Sequence, residues 1–465
     1  MKKNVVALLA AVVVAASSLT SCANKNTGKV VNIRVWNTEF IERFAKFYDK
    51  IDKTKTISDT EYLLTDGTKV VFTVTANDNN GYQNALDEAL KNQETAALDD
   101  KVDMFLMEAD YALKYANSDF TLDVKNDVGL TDTDVADMYD YTKTVVTDTR
   151  SGKGSALKGV SWQATPGLYA YRTDLAEDCW GDSSPEFVQE KLKDWDSFNT
   201  ATAEMKAKNH YMLSGYDDAY RVYSNNATNS WVNSSGVVTL DPQIKAWIKA
   251  TKNYSDNKYN HGTTLWKDGW VADQGPTGNV FGFFYSTWGI NFTLLGNSLA
   301  DAKGDKKVGN GLYGKYRVCQ GPASWYWGGT WLSACKGSDN LDTVKDIMKV
   351  MTCDKATAKN ITKDTEDYTN NKTAMHELAT DSTYGSAFLG GQNHIALFEE
   401  SAKNIHLAPM SAYDQGCNEK IQTAMRDYFT GTVTYEKAIA NFKSSLNTVY
   451  SGLTYDATFD AAIDA

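Results

Sequence analysis

Near its start the chain runs strand, polar turn and helix three times over, and this repetition restricts the fold more than any other feature. Residues 30–36 (VVNIRVW) are β-rich and end in the turn Asn37-Thr38-Glu39, after which Phe40, Phe44 and Phe47 recur at helical spacing. Residues 69–75 (KVVFTVT) pass through Asp78 and Gly81 into Tyr82, Leu86 and Leu90, again at helical spacing. Residues 102–107 (VDMFLM) end in Glu108-Ala109-Asp110-Tyr111. Strands alternating with helices in this way build a parallel α/β sheet. In such sheets ligands sit beyond the carboxyl ends of the strands. That rule gathers Asn37, Glu39, Asp78 and Glu108 or Asp110 on one rim. Singly, each reads as a helix cap; together, the three acidic turns read equally well as a shared site.

With 465 residues there is room for two or three domains, each with a core. Residues 316–334 (YRVCQGPASWYWGGTWLSA) gather Trp325, Tyr326, Trp327 and Trp331 around Gly328-Gly329. A strand with alternating aromatics is one reading. The other is a pocket wall, where flat rings stack on the apolar faces of sugars and nearby polar groups take the hydroxyls. Three Trp beside two glycines favour the wall for the cluster as a whole. Trp325 and Trp327 alternate with Tyr326 and so share one strand face, while the glycine pair can absorb a backbone rotation.

Further along, residues 159–171 give two β-like pieces split by Pro166-Gly167, and residues 280–288 (VFGFFYSTW) a buried strand. Asp196 is the expected cap of a helix through Phe198, Ala201 and Met205. Asp241-Pro242 opens another helix through Ile244, Trp247 and Ile248. Amphipathic helices are also expected over 340–351, 418–428 and 435–449, the last capped by Thr434.

The chemistry of enzymes is thin. No GxSxG, P-loop, HExxH or dinucleotide fingerprint occurs, and the five His are scattered. Paired carboxylates could still be assembled by the fold, so a glycosidase stays open. A formal charge of −12 argues against nucleic acid, which rewards basic surfaces.

Residues 1–22 (MKKNVVALLAAVVVAASSLTSC) have two lysines, a short apolar run and small polar residues before Cys22. The run is too short for a permanent span and has the layout of a secretory signal. Leu19-Thr20-Ser21-Cys22 resembles the bacterial lipobox, which makes Cys22 a lipidated (palmitate-bearing) mature N-terminus, residues 1–21 a signal peptide and 22–29 a tether. An ordinary cleaved signal is the alternative. The remaining Cys179, Cys319, Cys335, Cys353 and Cys417 are odd in number and lack CxxC spacing, which supports neither zinc nor a disulfide framework, although one disulfide stays open.

These features together resemble the solute-binding lipoproteins of carbohydrate ABC importers, the family-1 group that includes maltose-binding protein. The matching segments are DMFLMEADYALKY (103–115), SWQATPGLYAYRTDLAEDCWG (161–181), GPASWYWGGTWLSACKGSDN (321–340), FLGGQNHIALFEE (388–400) and MSAYDQGCNEKIQTAM (410–425). They follow the family's order along nearly the whole mature chain. The resemblance implies a two-lobed periplasmic-binding-protein-like α/β fold of type II. Its lobes would be 30–160 plus 329–384 and 161–328 plus 385–465, with hinge crossings near 161–163 and 325–328. It implies an oligosaccharide ligand, ABC permease partners, a monomer, and a lipid anchor on the outer face of a Gram-positive-type cell membrane, with no cofactor. It puts Glu108 and Asp110 where lobe one takes sugar hydroxyls, makes Trp288 a stacking ring, and sets Asp414 and Gln415 where some relatives carry an aromatic. The expected ligand-facing set is thus Asn37, Glu39, Asp78, Glu108, Asp110, Trp162, Trp288, Trp325, Trp327 and Asp414. A surface glycoside hydrolase or a non-transport sugar adhesin are the alternatives.

Overall fold

The structure is a computed structural model that describes residues 29–148, 150 and 154–459. Cys22, the signal segment and nearly all of the tether fall outside the described residues.

The first body is built on a mixed seven-stranded sheet. Its order is Ile51–Ser58, Glu61–Leu64, Lys69–Val74, Val30–Val35, Val102–Glu108, Thr330–Ala334 and Val160–Ser161. The three strands expected from the repeat are parallel neighbours: Val30 faces Lys69 and Ile33 faces Met104. The hairpin ahead of Lys69 was not anticipated, because residues 51–58 are polar and largely exposed and carry no burial signal. Val31, Ile33, Val70, Phe72, Met104 and Leu106 form the core with Phe40 and Phe44 of the helix Glu39–Phe47. The period-two and period-3.6 patterns thus meet in one interior.

The second body has a three-stranded antiparallel sheet with Gly167–Arg172 at its centre, between Gly282–Ser286 and Tyr316–Cys319. All six residues of the central strand are buried. Helices close over it. Asp194, rather than Asp196, caps Trp195–Ala207 by accepting from the Ser197 N–H at 2.7 Å. Asp241 caps Pro242–Asp256 through the Gln243 N–H, also at 2.7 Å, and Thr434 caps Tyr435–Val449. Each cap satisfies a backbone donor that the first helical turn leaves without an internal partner.

The chain passes between the bodies side by side. Residues 162–166 and 320–329 join the two sheets, held together by Gly167 N–H to Trp325 O (2.7 Å) and Trp327 N–H to Thr165 O (3.1 Å). A third passage near 366–371 pairs with the first, through Ala164 N–H to Tyr368 O and Asn370 N–H to Trp162 O, both 3.0 Å. The boundary expected at 384 lies beyond it, after the helix Lys372–Ala379, whose Ala374, Met375 and Leu378 pack in one cluster with Phe283 and Tyr285 of the second sheet.

All five described cysteines are free. Among the described residues no helix is long and apolar enough to cross a membrane, and no three His, Cys, Asp or Glu are grouped to hold a metal ion.

Candidate functional site: a tryptophan-lined cleft

The carboxyl ends of the three parallel strands face the second body across a cleft whose first cavity is about 560 Å³. Trp36, just past the first strand, stands edge-on to Tyr82 (5.6 Å) and Tyr111 (6.2 Å), which fixes its ring at the cavity wall. Asn37 accepts from the Glu39 N–H (3.1 Å) and Glu108 Oε2 from the Asp110 N–H (2.8 Å). Glu108 therefore caps the helix Ala109–Ala116 and lines the cleft at once, while Asn37 forms a turn ahead of the helix Glu39–Phe47, whose N-cap is Thr38, and lines the cleft too.

The opposite wall is a corner of three indoles. Trp266 and Trp288 lie nearly parallel with centroids 6.2 Å apart, Trp288 meets Trp327 at 5.2 Å and 70°, and Trp266 meets Trp327 at 5.8 Å. The Trp288 indole N–H is held by Trp327 O at 3.0 Å, which locks the corner to the second passage. Trp266 is 47 % exposed and has φ +67°. It occupies the third position of a turn closed by Lys267 N–H to Thr264 O. Where that position has φ above zero, as here, it normally goes to glycine. A bulky residue there is a backbone outlier of the kind that clusters at functional sites. Sequence reading missed Trp266; the spacing Trp266-Lys-Asp-Gly-Trp270, two indoles around a turn dipeptide, was the available signal.

Polar groups complete the cavity. Asn77 Oδ1 and Asp218 Oδ1 are buried acceptors without a hydrogen-bond partner, and both residues line it. Burial, then the Asp110 charge, pushes the Glu108 carboxyl up to about 8. Burial pushes Asp218 up to about 7. Groups of this sort suit hydroxyl partners, which both donate and accept.

Asp110 differs from expectation. Both its oxygens are taken by Arg221 of the second body, at 2.6 and 2.5 Å, and the Arg221 guanidinium lies 5.8 Å from the Trp327 ring centre. Arg221 had no sequence signal, because only the tertiary fold brings residues 110 and 221 together. Gln415 lines the first cavity and bridges the bodies, accepting from Gln83 and donating to Asn80, both at 3.1 Å. Asp414 lines a smaller cavity of about 70 Å³ and accepts from the Ser411 N–H and hydroxyl; burial pushes it up to about 6.

Two expected residues, Trp162 and Asp78, lie elsewhere, and Trp325 reaches the cavity from within the core. Trp162 and Trp325 are each 1 % exposed and belong to the two cores. Trp325 fills the space left by Gly167, where an added Cβ would fall 2.0 Å from its ring. It lines the same cavity as Trp327 with almost none of its surface exposed. Asp78 is exposed in a short turn and lines none of the described cavities; its neighbour Asn77 does, since the chain turns outward after that residue.

Gly328 and Gly329 have φ +74° and +116°. An added Cβ would lie 3.2 Å from Trp288 Nε1 at the first and 2.8 Å from the Trp331 ring at the second, so both the backbone and the cleft floor require glycine here.

The family profile of the bacterial extracellular solute-binding proteins matches residues 64–384, well over half of the chain. No curated protein matches by sequence. Among solved structures, a protein described as extracellular solute-binding protein family 1 has a TM-score of 0.67 at 15 % identity, covering 90 % of this chain and 100 % of its own. The ABC transporter associated binding protein of B. animalis subsp. lactis Bl-04, solved with β-1,6-galactobiose, has a TM-score of 0.63 at 17 % identity, covering 93 % and 100 %. The galacto-N-biose/lacto-N-biose I-binding protein of Bifidobacterium longum has 0.64 at 14 % identity, covering 93 % and 100 %.

Proposed function

We propose that this chain, which belongs to the bacterial extracellular solute-binding proteins, holds a neutral oligosaccharide between its lobes and delivers it to the permease of an ABC importer. The observation that carries the saccharide reading is the corner of Trp266, Trp288 and Trp327 in one cavity with the polar residues Asn77, Glu108, Asp218 and Gln415. Flat rings offer area to the apolar faces of a sugar, and each buried acceptor left without a hydroxyl costs about 1–3 kcal/mol. The cleft is rich in carboxyl groups, which disfavours an acidic glycan. The proteins of similar fold solved with β-1,6-galactobiose or lacto-N-biose fit this reading. The family consists of binding proteins, and that sets the hydrolase alternative aside.

Each lobe carries half of the site, so a ligand touching both favours the closed arrangement and shifts the population toward it. Gly328-Gly329, in the second passage, is the proposed hinge. At the outer face of a Gram-positive-type membrane, a lipid on Cys22 would keep the protein, as a monomer, beside its permease. Calorimetry against a panel of neutral and acidic oligosaccharides, amino acids and peptides tests the ligand class; selective binding of an amino acid or peptide refutes it. Small-angle scattering with the bound sugar separates the importer role from an adhesin, which would not contract. Cys22→Ala should abolish lipid labelling and release the protein from the cell surface; a variant that stays anchored and still takes up palmitate refutes the anchor.

A further inference from the structure

Beyond Trp288 the cleft does not end. A narrow cavity of about 150 Å³, lined by Trp36, Glu108, Trp288 and Gly328, continues into a second chamber of about 630 Å³. Trp288 lines all three spaces and so stands at the middle of one groove. Each chamber alone is of the size that takes a whole small ligand, roughly 300–1,000 Å³. We infer that the groove binds a chain of at least three linked sugar rings, and that the second chamber is the subsite for the rings beyond Trp288, with Phe292 as its stacking surface. This rests on the saccharide reading above.

The second chamber repeats the chemistry of the first with different residues. Phe292 is 76 % exposed, a costly placement for a Phe, and stands edge-on to Trp288 at 6.3 Å. It lies in Ile290–Leu294, where the helix widens to a π turn, an irregularity frequent at functional sites. The same chamber is lined by Glu39, with Arg43 at 3.7 Å, by the nearly buried Asp367, and by Asn291, whose amide N–H donates to Thr365 O at 2.8 Å. Burial, then Asp367, pushes Glu39 up to about 7, so near neutrality it is both a donor and an acceptor for hydroxyls. An aromatic face bordered by carboxyls and an amide is what a further pyranose ring needs. A disaccharide seated on the Trp266–Trp288–Trp327 corner would leave this chamber to water.

The test uses ladders of neutral oligosaccharides from two to six units, in α-1,4-glucose, β-1,4-xylose and β-galactose series, titrated by calorimetry. Within the ladder that binds, the tetrasaccharide should bind at least tenfold more tightly than the disaccharide. Phe292→Ala should remove about tenfold of the tetrasaccharide affinity, the scale of aromatic stacking, and Phe292→Tyr should restore it. The exposure of Phe292 keeps the fold out of the result, and a melting curve verifies this. Equal affinity for the two lengths, or an equal loss for both in Phe292→Ala, overturns the second subsite while leaving the saccharide reading standing. Absence of binding by every ladder removes the saccharide reading and this inference with it.

Discussion

Trp266 offers the sharpest test of the cleft, because strain and stacking can be separated there with two substitutions. A Trp side chain buries about 200 Å² when enclosed, so a ring 47 % exposed gives up roughly 100 Å², or about 2.5 kcal/mol, when removed. Trp266→Ala and Trp266→Gly lose that same contact, and the difference between them reports the backbone alone. At φ +67° an alanine retains a left-handed cost of about 1–2 kcal/mol that glycine lacks. The greater freedom of glycine in the unfolded chain returns about 0.5–1 kcal/mol. Trp266→Gly should therefore be more stable than Trp266→Ala by about 0.5–1 kcal/mol in urea unfolding. Both should bind the cognate sugar about 1–3 kcal/mol more weakly by calorimetry, the usual scale of stacking on a flat ring. A glycine variant less stable than the alanine variant would refute the strained turn. Undiminished affinity in both would remove Trp266 from the site.

Arg221→Met should destabilise the protein by about 2 kcal/mol. This is below the 3–5 kcal/mol of a sealed pair, because the Arg221 and Asp110 side chains are 20 % and 23 % exposed; Asp110→Asn in the same chain should recover part of the loss, and a double variant no better than the single one would refute the pairing. Stability should fall as pH rises from about 5 to 8. The raised carboxyls Glu108 (about 8), Glu39 and Asp218 (both about 7) bind protons more tightly folded than unfolded, so their contribution is complete below the ordinary carboxylate range and lost through their folded values. The slope is at most about 1.4 kcal/mol per pH unit for each group; Glu108→Gln should flatten the urea-midpoint profile, and a midpoint that rises over this window contradicts the assignment. Gly329→Ala should cost about 1–3 kcal/mol through its φ of +116° and the 2.8 Å approach to Trp331, and an unchanged melting temperature would show that the turn has another conformation available.

The sequence by itself determined the layers. Strand and helix periodicities at residues 30–47, 69–90 and 102–116 are local properties of side-chain order, and they fixed three parallel strands and the rim on which Asn37, Glu39 and Glu108 stand. The alternation at Trp325-Tyr326-Trp327 was legible for the same reason; the need for glycine at 328 and 329 was not, since the sequence shows only a pair free to rotate. Depth was not legible. Trp325 and Trp327 line one cavity, yet Gly167 and Phe284, from two strands distant in sequence, pack against the first and leave it 1 % exposed. Trp162 likewise reads as a wall residue until the Arg43 guanidinium, 5.2 Å from its ring centre, is seen to lie over it. The partners of Asp110 and Gln415 and the second chamber behind Trp288 depend on how the two bodies face each other. A carboxylate that reads as a free ligand group becomes an ion pair only when an arginine 111 residues along the chain is folded against it. Tertiary structure alone decided that choice, because the interaction depends on distance in space and leaves no pattern in the order of residues.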